Sequence, residues 1–319
     1  MKLSIRLLIL LFFNAIYSQN IQVLDSTNNL PIPFATISFG NGLGNFADDE
    51  GWFSFSKEKY RDVDTLYISS LGYAEKAIMA HPLPKKIYLT PAIWELNEVV
   101  VSTSKLGKFK LKKQKAITHE DIFASWLPTI ESEVAIFFER YDNKITQISK
   151  LILPINAESK YKSRGRGNYA TICRIQFYEN KNGLPGSAIG HEKIVFSIDE
   201  KQRKVYELDI ASKGIFIPQT GIYASLQVLG YANAQGRLIQ SKKYHEVETP
   251  RGIEKVSTSF RPLLPFSNRL APKHTYVRRV FFNDKKWQIF DRTYNKNSKL
   301  VQTGHTNYGM GAFFRVYGE

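Results

Sequence analysis

Short runs with an apolar residue at every second position, cut by turn-forming residues, recur along almost the whole chain. That pattern admits little besides antiparallel sheet. In the first third, Ala35, Ile37 and Phe39 share one face of a two-residue repeat, while Thr36 and Ser38 take the other. Phe53 and Phe55 repeat the alternation, and Leu66 and Ile68 repeat it again. Between these runs stand a Gly40-Asn41-Gly42-Leu43-Gly44 connection and an Asp48-Asp49-Glu50-Gly51 turn. No helical periodicity follows the glycines, so they read as a hairpin connection and not as a phosphate-binding loop. The three carboxylates lack the ordered spacing of a calcium loop and read as turn formers.

Three pieces carry a resemblance: Ala35-Thr36-Ile37, Asp49-Glu50-Gly51-Trp52-Phe53 and Ser69-Ser70-Leu71-Gly72-Tyr73. Together they resemble the carboxypeptidase-regulatory-like domain, a small transthyretin-like Greek-key sandwich found at the N-terminus of TonB-dependent outer-membrane receptors. The resemblance covers residues 19–101 and implies an envelope setting, with docking on an outer-membrane protein as one role. In those receptors a membrane barrel follows. Here the remaining sequence lacks the repeated ten-residue strand signal of such a barrel, so the receptor function does not carry over.

The start of the chain fits that setting. Lys2 and Arg6 precede the apolar run 7–13, and small residues lead to Ser18. This is the pattern of a secretory signal peptide over residues 1–18, cleaved before Gln19. No later run of about twenty apolar residues predicts a transmembrane helix. The expected location is therefore the periplasm, the outer membrane or the cell surface.

The length of 319 residues favours two domains. After residue 101 comes a lysine-rich run from Lys105 to Lys115, expected as an exposed linker. A short helix is expected next, capped by Thr118, ended by Pro128, and apolar at Ile122/Trp126 and Phe123/Leu127. Residues 102–130 are thus a basic linker and helix. From 131 to 319 strands resume: 134–138, 145–153, 172–178, 194–198, 205–210, 215–217, 222–228, 276–282, 287–290 and 312–317. Their turns are Asp142-Asn143, Asn180 to Gly183, Asp199 to Lys201 and Asn283 to Lys286. So many short strands predict a larger antiparallel sandwich of jelly-roll type, with Pro185-Gly186 in a loop between edge strands. The expected fold class is all-β.

Catalytic signatures are thin. The single cysteine, Cys173, alternates with Ile175 and Phe177 and reads as a buried, inert thiol. His245-Glu246-Val247-Glu248 has the His-x-x-Glu spacing of zinc carboxypeptidases, but the alternating helices and strands of that enzyme fold are missing. No Gly-x-Ser-x-Gly elbow occurs, and no carboxylate pair is singled out for glycoside hydrolysis. No catalytic residue, metal ligand or cofactor is therefore assigned.

Charge leaves binding as the open question. A net +15 would point to nucleic acid in the cytosol, but export and the lack of any nucleic-acid motif argue against that partner. Anionic envelope components are the candidates, beside a plainly solvated basic surface. The segment Tyr161-Lys162-Ser163-Arg164-Gly165-Arg166-Gly167-Asn168-Tyr169 offers guanidinium groups for anions and rings for sugars, although a solvated loop is the favoured reading of it. Trp52 alternates away from the inward-facing phenylalanines and suits a sugar contact or inter-domain packing. Trp52, Tyr161, Arg164, Arg166 and Tyr169 are thus the candidate ligand-binding residues. The expected function is an exported, non-enzymatic envelope module that binds a glycan or another envelope protein. A structural accessory of an outer-membrane complex and a hydrolase of envelope polymers are the alternatives.

Overall fold

In the computed structural model, residues 18–92, 107–158, 169–241, 243–249, 252–269 and 275–318 are described, apart from the side chains of 190–192 and 255. Residues 1–17, within the expected signal peptide of residues 1–18, lie outside these, as does most of the arginine-rich segment. The first third forms seven strands: β1 (Gln19–Asp25), β2 (Thr36–Ser38), β3 (Gly44–Phe46), β4 (Trp52–Phe55), β5 (Thr65–Ser69), β6 (Lys76–Met79) and β7 (Lys86–Leu89). They pair as β4-β1-β7 and β3-β2-β5-β6, with β1 and β7 parallel and the other neighbours antiparallel. The two-residue repeat does what its spacing predicts. Ala35, Ile37, Phe39, Phe53, Phe55, Leu66 and Ile68 all enter one buried cluster with Ile21, Val23, Ile87 and Leu89. The acidic stretch is a turn. Asp48 accepts the backbone N–H groups of Glu50 and Trp52 at 2.9 and 2.8 Å, and Gly51 takes φ +77° where a side chain would be strained.

Fifteen further strands follow: β8 (Phe109–Gln114), β9 (Ser125–Trp126), β10 (Ser132–Phe138), β11 (Thr146–Pro154), β12 (Ala170–Lys181), β13 (Leu184–Asp199), β14 (Val205–Asp209), β15 (Ile222–Tyr231), β16 (Tyr244–Thr249), β17 (Gly252–Ser257), β18 (Leu264–Ser267), β19 (Thr275–Arg279), β20 (Gln288–Ile289), β21 (Asn307–Tyr308) and β22 (Gly311–Tyr317). A six-stranded sheet, β13-β12-β15-β10-β19-β20, and a four-stranded sheet, β14-β11-β22-β8, enclose the main core. Val134, Ile136 and Phe138 of β10 alternate into it, as do Cys173, Ile175 and Phe177 of β12 and Ala312, Phe314 and Val316 of β22. A three-stranded sheet, β21-β18-β9, and the β16–β17 hairpin complete the architecture. The chain is all-β and built of sandwiches, as its alternation requires.

Four local expectations fail. The lysine run is not a free linker, because Phe109 to Gln114 pair antiparallel with β22 as its edge strand. The residues expected as a helix form none. Ser125 and Trp126 pair with Pro265 and Leu264, and Phe123 is 70% exposed. One helical turn is unfavourable to nucleate alone, and sheet pairing gives Trp126 a place against Phe266 and Phe290 instead. Pro185 and Gly186 lie within β13, since the turn closes earlier at Asn182 and Gly183, both with positive φ. Residues 215–217 form no strand and contribute a single bridge, Gln147 to Phe216.

The two sandwiches are docked. Phe46 of β3 belongs to the core of the second sandwich, its ring 5.3 Å from that of Phe281. Arg174 Nη1 donates to the Phe34 carbonyl at 3.2 Å, and Lys193 Nζ to that of Pro33 at 2.5 Å. Arg237 reaches Glu50 at 2.8 Å, so the acidic turn also serves the contact. The glycine connection lies flat against the second sandwich: a Cβ on Gly42 would stand 2.3 Å from the Phe282 ring.

Candidate binding face

The outer face of the four-stranded sheet is set by register. β8 pairs with β22 so that Phe109 faces Tyr317, Leu111 faces Arg315 and Lys113 faces Phe313. Since Ala312, Phe314 and Val316 point into the core, Phe313, Arg315 and Tyr317 point outward. On the next strand Lys150 pairs with Phe313, and beyond it Asp209 pairs with Lys150. The result is a face of two exposed apolar side chains, Phe109 and Leu111, beside a row of cations.

The rings hold the cations. Arg315 lies 5.0 Å from the centre of Phe109, while Lys113 and Lys150 lie 4.6 and 5.4 Å from that of Phe313. Each such contact is worth about 0.5–1 kcal/mol at an exposed site, enough to restrict flexible stems. Phe109 and Phe313 are four strand residues apart along the β22 register, a span of about 13 Å, with Arg315 between them. Lys150 also donates to Glu207 at 2.8 Å, and that hydrogen bond raises its pKa. Arg315 and Lys113 have no carboxylate partner among the described residues. A shallow depression of about 270 Å³ lies between Phe109, Leu111, Phe313, Arg315, Lys150 and Asp209.

The candidate residues from the sequence do not converge there. Trp52 pairs with Gln22 on β4 of the first sandwich and is 38% exposed, pointing away from Phe53. Tyr161, Arg164 and Arg166 lie outside the described residues. Tyr169 stands at the entry to β12. Its buried hydroxyl has no hydrogen-bond partner among the described residues, and burial pushes its pKa up to about 12. Arg261 nearby is bound to Glu158. Sequence reasoning singled out the lysine run but missed Phe313 and Arg315. Nothing in a β-strand's sequence says which distant strand will lie beside it.

The most deeply buried ionisable cluster surrounds Glu133. Glu133 is buried, which alone would raise its pKa. Arg278, the Ser225 hydroxyl, Arg174 and Tyr178 outweigh that and hold the carboxyl below its ordinary value. Its two oxygens accept Tyr178 at 2.7 Å, Ser225 at 2.6 Å and Arg278 at 2.7 Å. Burial lifts the Cys173 thiol to about 12, far from a nucleophile's range. His245 sits on the exposed β16–β17 hairpin, and among the described residues no three His, Cys, Asp or Glu side chains are grouped to hold a metal.

No family model matches the chain, and no curated protein does. Among solved structures, the chain is similar to the cysteine protease and lectin-like domains of Cwp84, a surface layer associated protein of Clostridium difficile. That likeness has 9% sequence identity and a TM-score of 0.34, over 65% of this chain and 36% of the other. The chain thus spans about a third of that structure's length, and a likeness so low carries no functional argument.

Proposed function

We propose that this protein is an exported, non-catalytic envelope module that binds an anionic glycan on the outer face of its four-stranded sheet. The observation that carries the reading is the set of cations held over aromatic rings, Arg315 on Phe109 and Lys113 on Phe313. Charges restrained before binding lose less conformational entropy when they meet a carboxylate or phosphate, and a guanidinium pairs with such groups through two hydrogen bonds. The first sandwich, proposed as a carboxypeptidase-regulatory-like domain, acts as a rigid neighbour through the docked interface. Export rests on the leader pattern of residues 1–18, and mass spectrometry of the secreted protein should find Gln19 first.

The test is binding of polygalacturonate oligosaccharides against neutral dextran of matched length, at several salt concentrations. The acidic ligand should bind and the neutral one should not. R315A/K113A should weaken binding at least about tenfold, because each charge-assisted hydrogen bond contributes roughly 1.5–3 kcal/mol before solvent screening reduces it. Equal binding of dextran, or an unchanged affinity of the double variant, would overturn the proposal.

A further inference from the structure

We infer that the depression on the four-stranded sheet takes an acidic sugar followed by an uncharged one, and that Asp209 selects the second. This rests on the anionic-glycan reading and narrows it from any polyanion to a polymer of alternating acidic and neutral units. Leu111 of β8, Arg315 of β22, Lys150 of β11 and Asp209 of β14 all line the depression. A glycan lying in it therefore crosses the strands and does not follow one of them.

The sign of the charge changes along that path. Register places Lys113, Phe313, Lys150 and Asp209 in one row across the sheet. The row spans the whole width of the sheet, about 14 Å. At the β8 and β22 end, Lys113 and Arg315 are held over rings. In the middle, Lys150 is bound to Glu207 at 2.8 Å, so its charge is largely met within the protein. At the β14 end Leu208 packs on the core, which turns Glu207 and Asp209 outward. Asp209 Oδ1 accepts the Ala211 N–H at 3.0 Å, and this fixes the carboxylate at the rim. An acid held at Arg315 is attracted, but an acid on the next sugar would approach Asp209. Exposed charges act on each other within about 8–10 Å at physiological salt, so that second acid is repelled. An uncharged sugar offers hydroxyl and amide donors instead, which a carboxylate accepts in short, charge-assisted hydrogen bonds. Attraction at one end and rejection at the other discriminate between polyanions, which cations alone would not do.

The probes are a hyaluronan hexasaccharide, in which glucuronate alternates with N-acetylglucosamine, and a polygalacturonate hexasaccharide, acidic at every unit. Each is titrated calorimetrically against the whole protein at physiological salt. Hyaluronan should bind at least about fivefold more tightly, although it carries half the charge. D209N keeps an acceptor oxygen for the Ala211 N–H and removes the charge. It should bring the two affinities within about twofold of each other, chiefly by tightening polygalacturonate. R315A should weaken both ligands by a similar factor, because it meets the acid that they share. If native protein binds polygalacturonate as tightly as hyaluronan, or if D209N leaves the preference intact, the alternating-glycan inference fails while the anionic-glycan reading stands. If neither hexasaccharide binds, both fall together.

Discussion

The Ser38 hydroxyl donates to the Phe281 carbonyl at 2.9 Å, joining residues 243 positions apart in the chain. The Gly42 N–H donates to the same carbonyl at 2.9 Å. One acceptor in the second sandwich thus holds both the end of β2 and the connection after it. Thr36 and Ser38 sit on the polar face of their strand and are nevertheless buried, because the second sandwich covers that face.

Disturbing this contact should uncouple the sandwiches. A Cβ at Gly44 would lie 2.4 Å from the Phe281 ring and 2.5 Å from the Ile37 carbonyl oxygen. Gly44→Val is expected to destabilise by roughly 1–3 kcal/mol. Calorimetry should show one unfolding transition in the native protein and two in the variant. A single unshifted transition in G44V would show that the docking carries no energy.

The Glu133 network sets an acid limit. Its carboxyl pKa is lower in the folded protein than in the unfolded chain, whose reference value is 4.5. The unfolded state therefore binds the proton first as pH falls. The contribution is fully present above about pH 4.5 and is lost as pH drops through the folded value. Glu133→Ala should cost roughly 3 kcal/mol at pH 7, because it leaves Arg278 partly buried without its partner. Urea titrations at pH 7 and pH 3 should show that cost shrinking at the lower pH. A constant difference would refute the linkage.

Cys173 should be silent in the native state. With the thiol buried and lifted to about 12, a thiol reagent at pH 8 should react only as the core opens. Labelling that proceeds at the free-thiol rate without denaturant would contradict the packing.

The segment after β8 separates a strand from a helix by mutation. Trp126 packs on Phe266 and Phe290, so Trp126→Ala should cost about 3 kcal/mol or more. Phe123 is exposed, and Phe123→Ser should change stability by less than about 0.5 kcal/mol. Comparable losses at both positions would support the helical face that their spacing suggests.

The sheet class, the inward positions of the first sandwich, and most strands and turns of the second are legible in the sequence. Alternation is a local property: Ile37 and Phe39, or Cys173, Ile175 and Phe177, share a face whatever lies beyond them. Turns are local as well, since Asp48 binds N–H groups two and four residues on, and Gly51 relieves its own backbone. What each face meets depends on partners distant in the chain. Lys105 to Lys115 read as a solvated linker because their charge hides a strand whose pairing energy comes from β22, far along the chain. The Ile122–Leu127 spacing read as helix because its competing partner, β18, also lies far away in sequence. The candidate face is of the same kind. Phe109 and Arg315 become neighbours through a ladder of backbone hydrogen bonds, and those bonds carry no side-chain signature from which their register could be read.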